Sequence, residues 1–109
     1  MLKYLMNQNR QHTRLDFGTA LEIHFDDQSQ PGRSLNISAG GIFIDTAPLP
    51  EFGTKLILHI KLPGIPDKCE IPCIVRWKKE GEGAGLQFEK LRPIEVWAVN
   101  KLVKSLAKD

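Results

Sequence analysis

Apolar and polar residues alternate from Thr19 to Asp26, with Thr19, Leu21, Ile23 and Phe25 on one side and Ala20, Glu22, His24 and Asp26 on the other. A period of two is the signature of a strand with one buried face. The same alternation runs through Leu56, Leu58, Ile60 and Leu62, set against Lys55, Ile57, His59 and Lys61, and returns in Ala84, Leu86 and Phe88. Shorter strands are expected from Arg33 to Ile37 and over Ile42–Ile44, and a longer one from Lys68 to Lys78, where Pro72 marks an edge or a bulge. Turns separate them at Asp27–Gly32, around Pro48, Pro50 and Gly53, at Pro63–Asp67 and at Gly81–Gly83. Six strands at short, even spacing predict an antiparallel sandwich or small barrel.

The period then changes. Pro93 suits the first turn of a helix, and neither Pro nor Gly follows it, so a helix is expected over 93–107. Val96, Val99, Leu102, Val103 and Leu106 share one arc of that helix, as packing on a barrel requires, and Lys101, Lys104 and Lys108 lie opposite. Trp97 falls among the lysines, where the N-terminal segment or a partner would cover it, or where it stands exposed with no role.

A length of 109 residues fits one domain, and 41% hydrophobic with 26% charged residues permits an ordinary packed core. The net charge of +2 argues against holding long nucleic acid by phosphate neutralisation. No stretch approaches the ~20 apolar residues of a membrane span, and Met1–Arg10 lacks the apolar run of a secretory signal. A cytoplasmic protein is therefore expected. Cys69 and Cys73, in an extended segment at ~3.3 Å per residue, are too far apart for a disulfide and should share a buried face with Ile71, Val75 and Trp77. His12, His24 and His59 have no metal-ligand spacing, so no metal is expected.

Two short patterns carry candidate chemistry. Arg10 and Arg14 lie four residues apart in a polar segment that cannot build core, so residues 1–17 are expected to form a flexible arm ahead of a barrel spanning 18–109. Guanidinium forks grip phosphate and stack on purines, although two solvated arginines would give the same pattern. In Asn36-Ile37-Ser38-Ala39-Gly40-Gly41, Asn and Ser side chains can close a turn on nearby backbone, with glycines supplying positive φ or a bulge. The same turn would let a ligand approach the backbone and offer Asn36 and Ser38 to a base edge.

The order R-x-x-x-R, a strand, then N-x-S-x-x-G opening another strand resembles the PilZ domain family. Gly41-Ile42-Phe43-Ile44, Leu62-Pro63-Gly64, Val75-x-Trp77 and Gly85-Leu86-x-Phe88 extend the likeness from about Arg10 to Leu106. The resemblance implies an all-β fold with a terminal helix: a six-stranded antiparallel β-barrel of the PilZ split-barrel type plus a C-terminal α-helix. It also implies a bacterial signalling role, in motility or biofilm regulation, through binding of cyclic di-GMP. Carried over, Arg10 and Arg14 would grip phosphate and guanine, Asn36 and Ser38 would contact guanine, and Gly41 would keep the turn open. Asn36 stands where the family often has Asp. Asn9 occupies the position at which a basic residue favours a stacked ligand dimer. Asn9, Arg33 and Gly40 are weaker candidate contacts.

No nucleophile–base set and no Gly-rich phosphate loop with Lys is present, so no catalytic residue is expected and no cofactor beyond the cyclic di-GMP ligand. The expected function is a stand-alone receptor whose arm orders on the ligand and alters a surface read by a downstream protein partner. The alternative is a ligand-independent interaction module of the same fold. Single-stranded nucleic acid binding would need aromatic platforms on a basic face, for which only Phe43 and the two tryptophans are available.

Overall fold

A computed structural model describes residues 14–107. The elements are β1 (Leu15–Asp16), β2 (Ala20–Phe25), β3 (Gln28–Ser38), β4 (Gly41–Thr46), β5 (Lys55–Ile60), β6 (Cys69–Lys79), β7 (Gly83–Phe88) and α1 (Pro93–Leu106). The strands form one antiparallel sheet in the order β1-β3-β2-β5-β6-β7-β4, and β4 also pairs with β3. That last pairing closes β2 to β7 into a six-stranded barrel, with β1 as an added strand.

Ile23, Ile37, Ile44, Leu58, Ile71 and Val75 fill the interior with essentially no solvent exposure, each contributing roughly 1.5–3 kcal/mol by burial. Cys69 and Cys73 are free and buried on that same face, and burial pushes both thiols up from their ordinary pKa.

Three local departures from simple alternation shape the barrel. The β2–β3 reversal needs only Asp26 and Asp27, at φ 49° and 59°, and Phe25 pairs directly with Gln28. Two left-handed residues make a tight hairpin whose twist suits the strands it joins. Gln28–Gly32, expected to be turn, is therefore the start of the eleven-residue β3. Pro31 is tolerated there because β4 pairing begins only at Gly32 opposite Thr46, which leaves the strand paired on one side at the proline. Pro72 sits similarly, opposite Ile57 on β5 and just before β7 pairing begins at Cys73.

The second departure is a bulge on β6. Val75 pairs with Leu86 and Trp77 with Gly85, so Arg76 is the extra residue. The bulge turns Trp77 away from Cys69, Ile71, Cys73 and Val75 and onto the outer face, against the single-sided reading of that strand. The third is a bulge on β3, where Ser34 pairs with Ile44 and Asn36 with Phe43. Leu35 is the extra residue there.

Arg92 and Glu95 set the start of α1. The Arg92 backbone N–H donates to Glu95 Oε1 at 2.8 Å, and its guanidinium reaches Oε2 at 2.8–2.9 Å. Glu95 is only 1% exposed, so a carboxylate stands in the packed stripe with Ala98, Val99 and Leu102. Val103 and Leu106 are partly buried, whereas Val96 is 42% exposed. The helix is thus rotated from the expected arc, because small Ala98 and the paired Glu95 face the barrel in place of Val96. No helix of the described residues is long and apolar enough to cross a membrane.

Candidate ligand site

Arg14 immediately precedes β1 and donates from Nη1 to Asn36 Oδ1 at 3.1 Å. The contact spans the sheet edge, because β1 lies against the second half of β3: Leu15 opposite Ile37 and Asp16 opposite Asn36. β2 occupies the same side of β3 further along, so β1 and β2 behave as one strand with a break at 17–19. Buried Ser34 stitches that break. Its Oγ accepts from Thr19 N at 2.8 Å and donates to Phe17 O at 2.5 Å, while Ser34 N donates to Thr19 O at 2.9 Å. Residues 15–17, expected within the arm, are thereby fixed to β3, and they set Arg14 beside Asn36. Arg10 and Asn9 lie outside the described residues.

The Arg14 guanidinium is half-buried, and desolvation lowers its pKa from the ordinary arginine value. Among the described residues no carboxylate pairs with it; its partner is a neutral amide. A cation withdrawn from water and held by an amide oxygen is poised for an anion. Asn36 adds no negative charge, although Asp16 stands opposite it in register.

The bulge at Leu35 gathers further groups onto this face. Strict alternation would put Arg33 and Asn36 on opposite sides of β3. With the extra residue, Arg33 (opposite Asp45) and Asn36 (opposite Phe43) both face outward. The Arg33 guanidinium lies across Gly18, with Nη2 3.5 Å from where a Gly18 Cβ would stand, close to the break that positions Arg14.

Ser38 is buried and engaged within the turn, accepting from Gly40 N at 3.3 Å and donating to Gly41 O at 3.5 Å. Gly40 O accepts from Phe88 N at 3.0 Å, which ties the turn to β7. Neither Gly40 nor Gly41 is among the glycines with positive φ. Gly41 is required for space, since a Cβ there would run into the Leu86 carbonyl.

The strand alternation did not reveal an aromatic surface beside Asn36. Asp16, Asn36, Phe43, Gly85 and Trp77 are successive cross-strand neighbours over β1, β3, β4, β7 and β6, forming one row on the outer face. Phe43 and Trp77 meet over Gly85 with ring centroids 5.1 Å apart and planes tilted by 45°. The side-chain sequence of that row is carboxylate, amide, phenyl, gap and indole. Among the described residues no group of three His, Cys, Asp or Glu is arranged to hold a metal ion.

A family model described as PilZ domain matches residues 8–107. The chain belongs to the PilZ domain family. The PilZ match runs through the arginine motif, the Asn36–Gly41 turn and α1, and so includes Asn9 and Arg10. Comparison with curated proteins returns no match. Among solved structures, the Bacillus subtilis inhibitor of motility MotI/DgrA superposes with a TM-score of 0.72 at 24% identity, covering 90% of this chain and 51% of that one. The PilZ chain here thus spans about half of MotI. The PilZ domain of CeSA from a cellulose-synthesising bacterium gives 0.63 at 17% identity, covering 88% and 99% of the two chains. The PilZ domain of YcgR from Escherichia coli, solved with c-di-GMP, gives 0.65 at 12% identity over 91% and 92%. At these identities the likeness is one of fold.

Proposed function

We propose that this PilZ domain is a binding module for cyclic di-GMP, with its site on the outer face around Arg14, Asn36 and the Phe43–Trp77 pair. The observation that carries the reading is Arg14, a desolvated cation oriented by Asn36 and lacking a carboxylate partner among the described residues. A cyclic dinucleotide has two phosphates for guanidinium forks, two purine faces for stacking and polar base edges for an amide. Arg14 takes phosphate or guanine, and Arg10, four residues earlier, takes the second such contact. The Nδ2 of Asn36 donates to a base edge, while Ser38, Gly40 and Gly41 keep the backbone turn in shape beside it. Phe43 and Trp77 supply stacking area, and Arg33 and Asn9 lie at the margin. That the YcgR PilZ domain was solved with c-di-GMP supports the choice of ligand.

In the signalling step, the ligand draws the segment carrying Arg10 onto the barrel and so changes the surface presented to a downstream protein partner in the cytoplasm. The domain regulates by binding and performs no catalysis.

Calorimetry with cyclic di-GMP tests the site. Micromolar or tighter binding is expected, weakened by roughly ten- to a hundredfold in Arg14→Ala, the loss of a charged hydrogen-bond partner. Wild-type protein that gives no heat would overturn the assignment in favour of a ligand-independent interaction module. Backbone NMR of residues 1–13 with and without ligand tests the switch, and spectra of that segment indifferent to saturating ligand would remove it.

A further inference from the structure

Helix α1 buries Glu95, Ala98, Val99 and Leu102 and leaves Ile94 and Trp97 each 48% exposed. Positions 94, 97, 101 and 104 follow three- and four-residue steps, so Ile94, Trp97, Lys101 and Lys104 form one ridge on the solvent side.

The indole on this ridge is fixed in place. Its six-membered ring packs over Gly64, where a Cβ would come within 3.1 Å of Cζ3 and 3.2 Å of Cη2. Gly64 has φ 95°, so the connection from β5 to β6 combines a left-handed turn with room for the ring. From the helix, Lys101 Nζ lies 5.4 Å from the ring centroid. A half-exposed tryptophan contacted from two sides has less rotamer freedom to lose, which lowers the entropy cost of docking on it.

Along the ridge itself the exposed charge is basic. The only carboxylate on α1 is Glu95, buried and bound to Arg92. The exposed side chains of α1 after Trp97 are Asn100, Lys101, Lys104 and Ser105, and the β5–β6 connection adds Lys61 and Lys68 against a single Asp67. We propose that the ridge Ile94–Trp97–Lys101–Lys104 is a docking surface for an acidic segment of a partner protein. Carboxylates of the partner meet Lys101 and Lys104, and an apolar side chain packs on Trp97 and Ile94.

Other occupants fit less well. Residues 1–13 of this chain contain no Asp or Glu and carry Lys3 and Arg10, so they offer no complement. A membrane-surface helix inserts its apolar face, but here that face is spent on the barrel, and two lysines contribute only about 1 kcal/mol each at an anionic surface. The test is run without nucleotide, so its outcome is separate from that of the cyclic di-GMP reading.

The test is selection of a random short-peptide library on the immobilised full chain, counter-selected on a Trp97→Ala/Lys101→Glu variant. Recovered peptides are expected to place Asp and Glu around one large apolar residue. A synthetic version should lose about tenfold or more in affinity with Lys101→Glu alone, a surface change that leaves the melting temperature in place. Neutral or basic consensus sequences, peptides that bind the variant equally well, or no enrichment would overturn the proposal. It would fall equally if Trp97-dependent binding appeared only with phosphatidylglycerol-containing vesicles, or if the chain formed a Trp97-dependent dimer.

Discussion

Phe43 and Trp77 come from strands that are not neighbours, yet their rings meet 5.1 Å apart over the bare backbone of Gly85. A Cβ at Gly85 would stand 3.5 Å from Trp77 Cβ and 3.6 Å from Phe43 Cδ1, so even a methyl there would meet both side chains at ordinary contact distance. Since Phe43 is also the register partner of Asn36, the aromatic pair is continuous with the Arg14 contact. Base stacking on an aromatic ring is worth ~1–3 kcal/mol. Phe43→Ala and Trp77→Ala should therefore each weaken cyclic di-GMP binding by about five- to a hundredfold in calorimetry. Arg76→Ala, on the bulge beside them but not in the row, should have little effect.

Gly41→Ala should cost stability rather than contact chemistry. The methyl would press on the Leu86 carbonyl, and β4 must separate from β7 to admit it. Overpacking of this kind costs about 1–3 kcal/mol. In a domain of this size that lowers Tm by roughly 4–8 °C per kcal/mol. Thermal unfolding followed by circular dichroism checks it. An unchanged Tm with lost ligand binding would instead put Gly41 in direct contact with the ligand.

Much of the barrel was legible in the chain because alternation reports burial directly. Leu21 and Ile23, then Leu56, Leu58 and Ile60, are buried where a period of two places them. What alternation cannot show is an inserted residue. The bulges at Leu35 and Arg76 reverse the faces that follow, and those faces carry Asn36 and Trp77. Glu95 was hidden for another reason: a carboxylate reads as surface until its partner, Arg92, is seen to satisfy it. Of the candidate site, the Asn36–Gly41 turn and Arg14 were visible as a motif and come together in space. The stitching by Ser34, which holds Arg14 in place, has no sequence signal beyond an ordinary strand serine.

The hairpin at Asp26–Asp27 offers a gain in stability. Both residues are at positive φ, where an L side chain costs ~1 kcal/mol or more and Asp is only partly excused. Asp27→Gly produces the Asp-Gly pair that a two-residue primed turn prefers. After allowing for the greater freedom of glycine in the unfolded chain, a gain of about 0.5–1 kcal/mol is expected. It should appear as a higher urea midpoint with unchanged slope, whereas Asp27→Val should lower the midpoint.

His59 should make the barrel sensitive to mild acid. Its ring stacks on His24 with centroids 3.7 Å apart and planes within 14°. Burial, then the neighbouring His24, holds its pKa below the ordinary 6.5, while Glu70 and Glu22 on the flanking strands oppose the shift and Lys68 adds to it. A histidine whose folded pKa lies below its unfolded value resists protonation when folded. Its contribution is therefore complete above the unfolded value of about 6.5 and is lost as pH falls below it. The Glu22 carboxyl, held low by its hydrogen bond to His24, takes up its proton in a separate, more acidic range. Tm should thus decline from pH 7 to pH 5, and His59→Gln, which keeps a polar side chain without a titrating group, should flatten that decline. An NMR titration of the His59 ring protons with a midpoint at or above 6.5 would reverse the sign of the effect and remove the prediction.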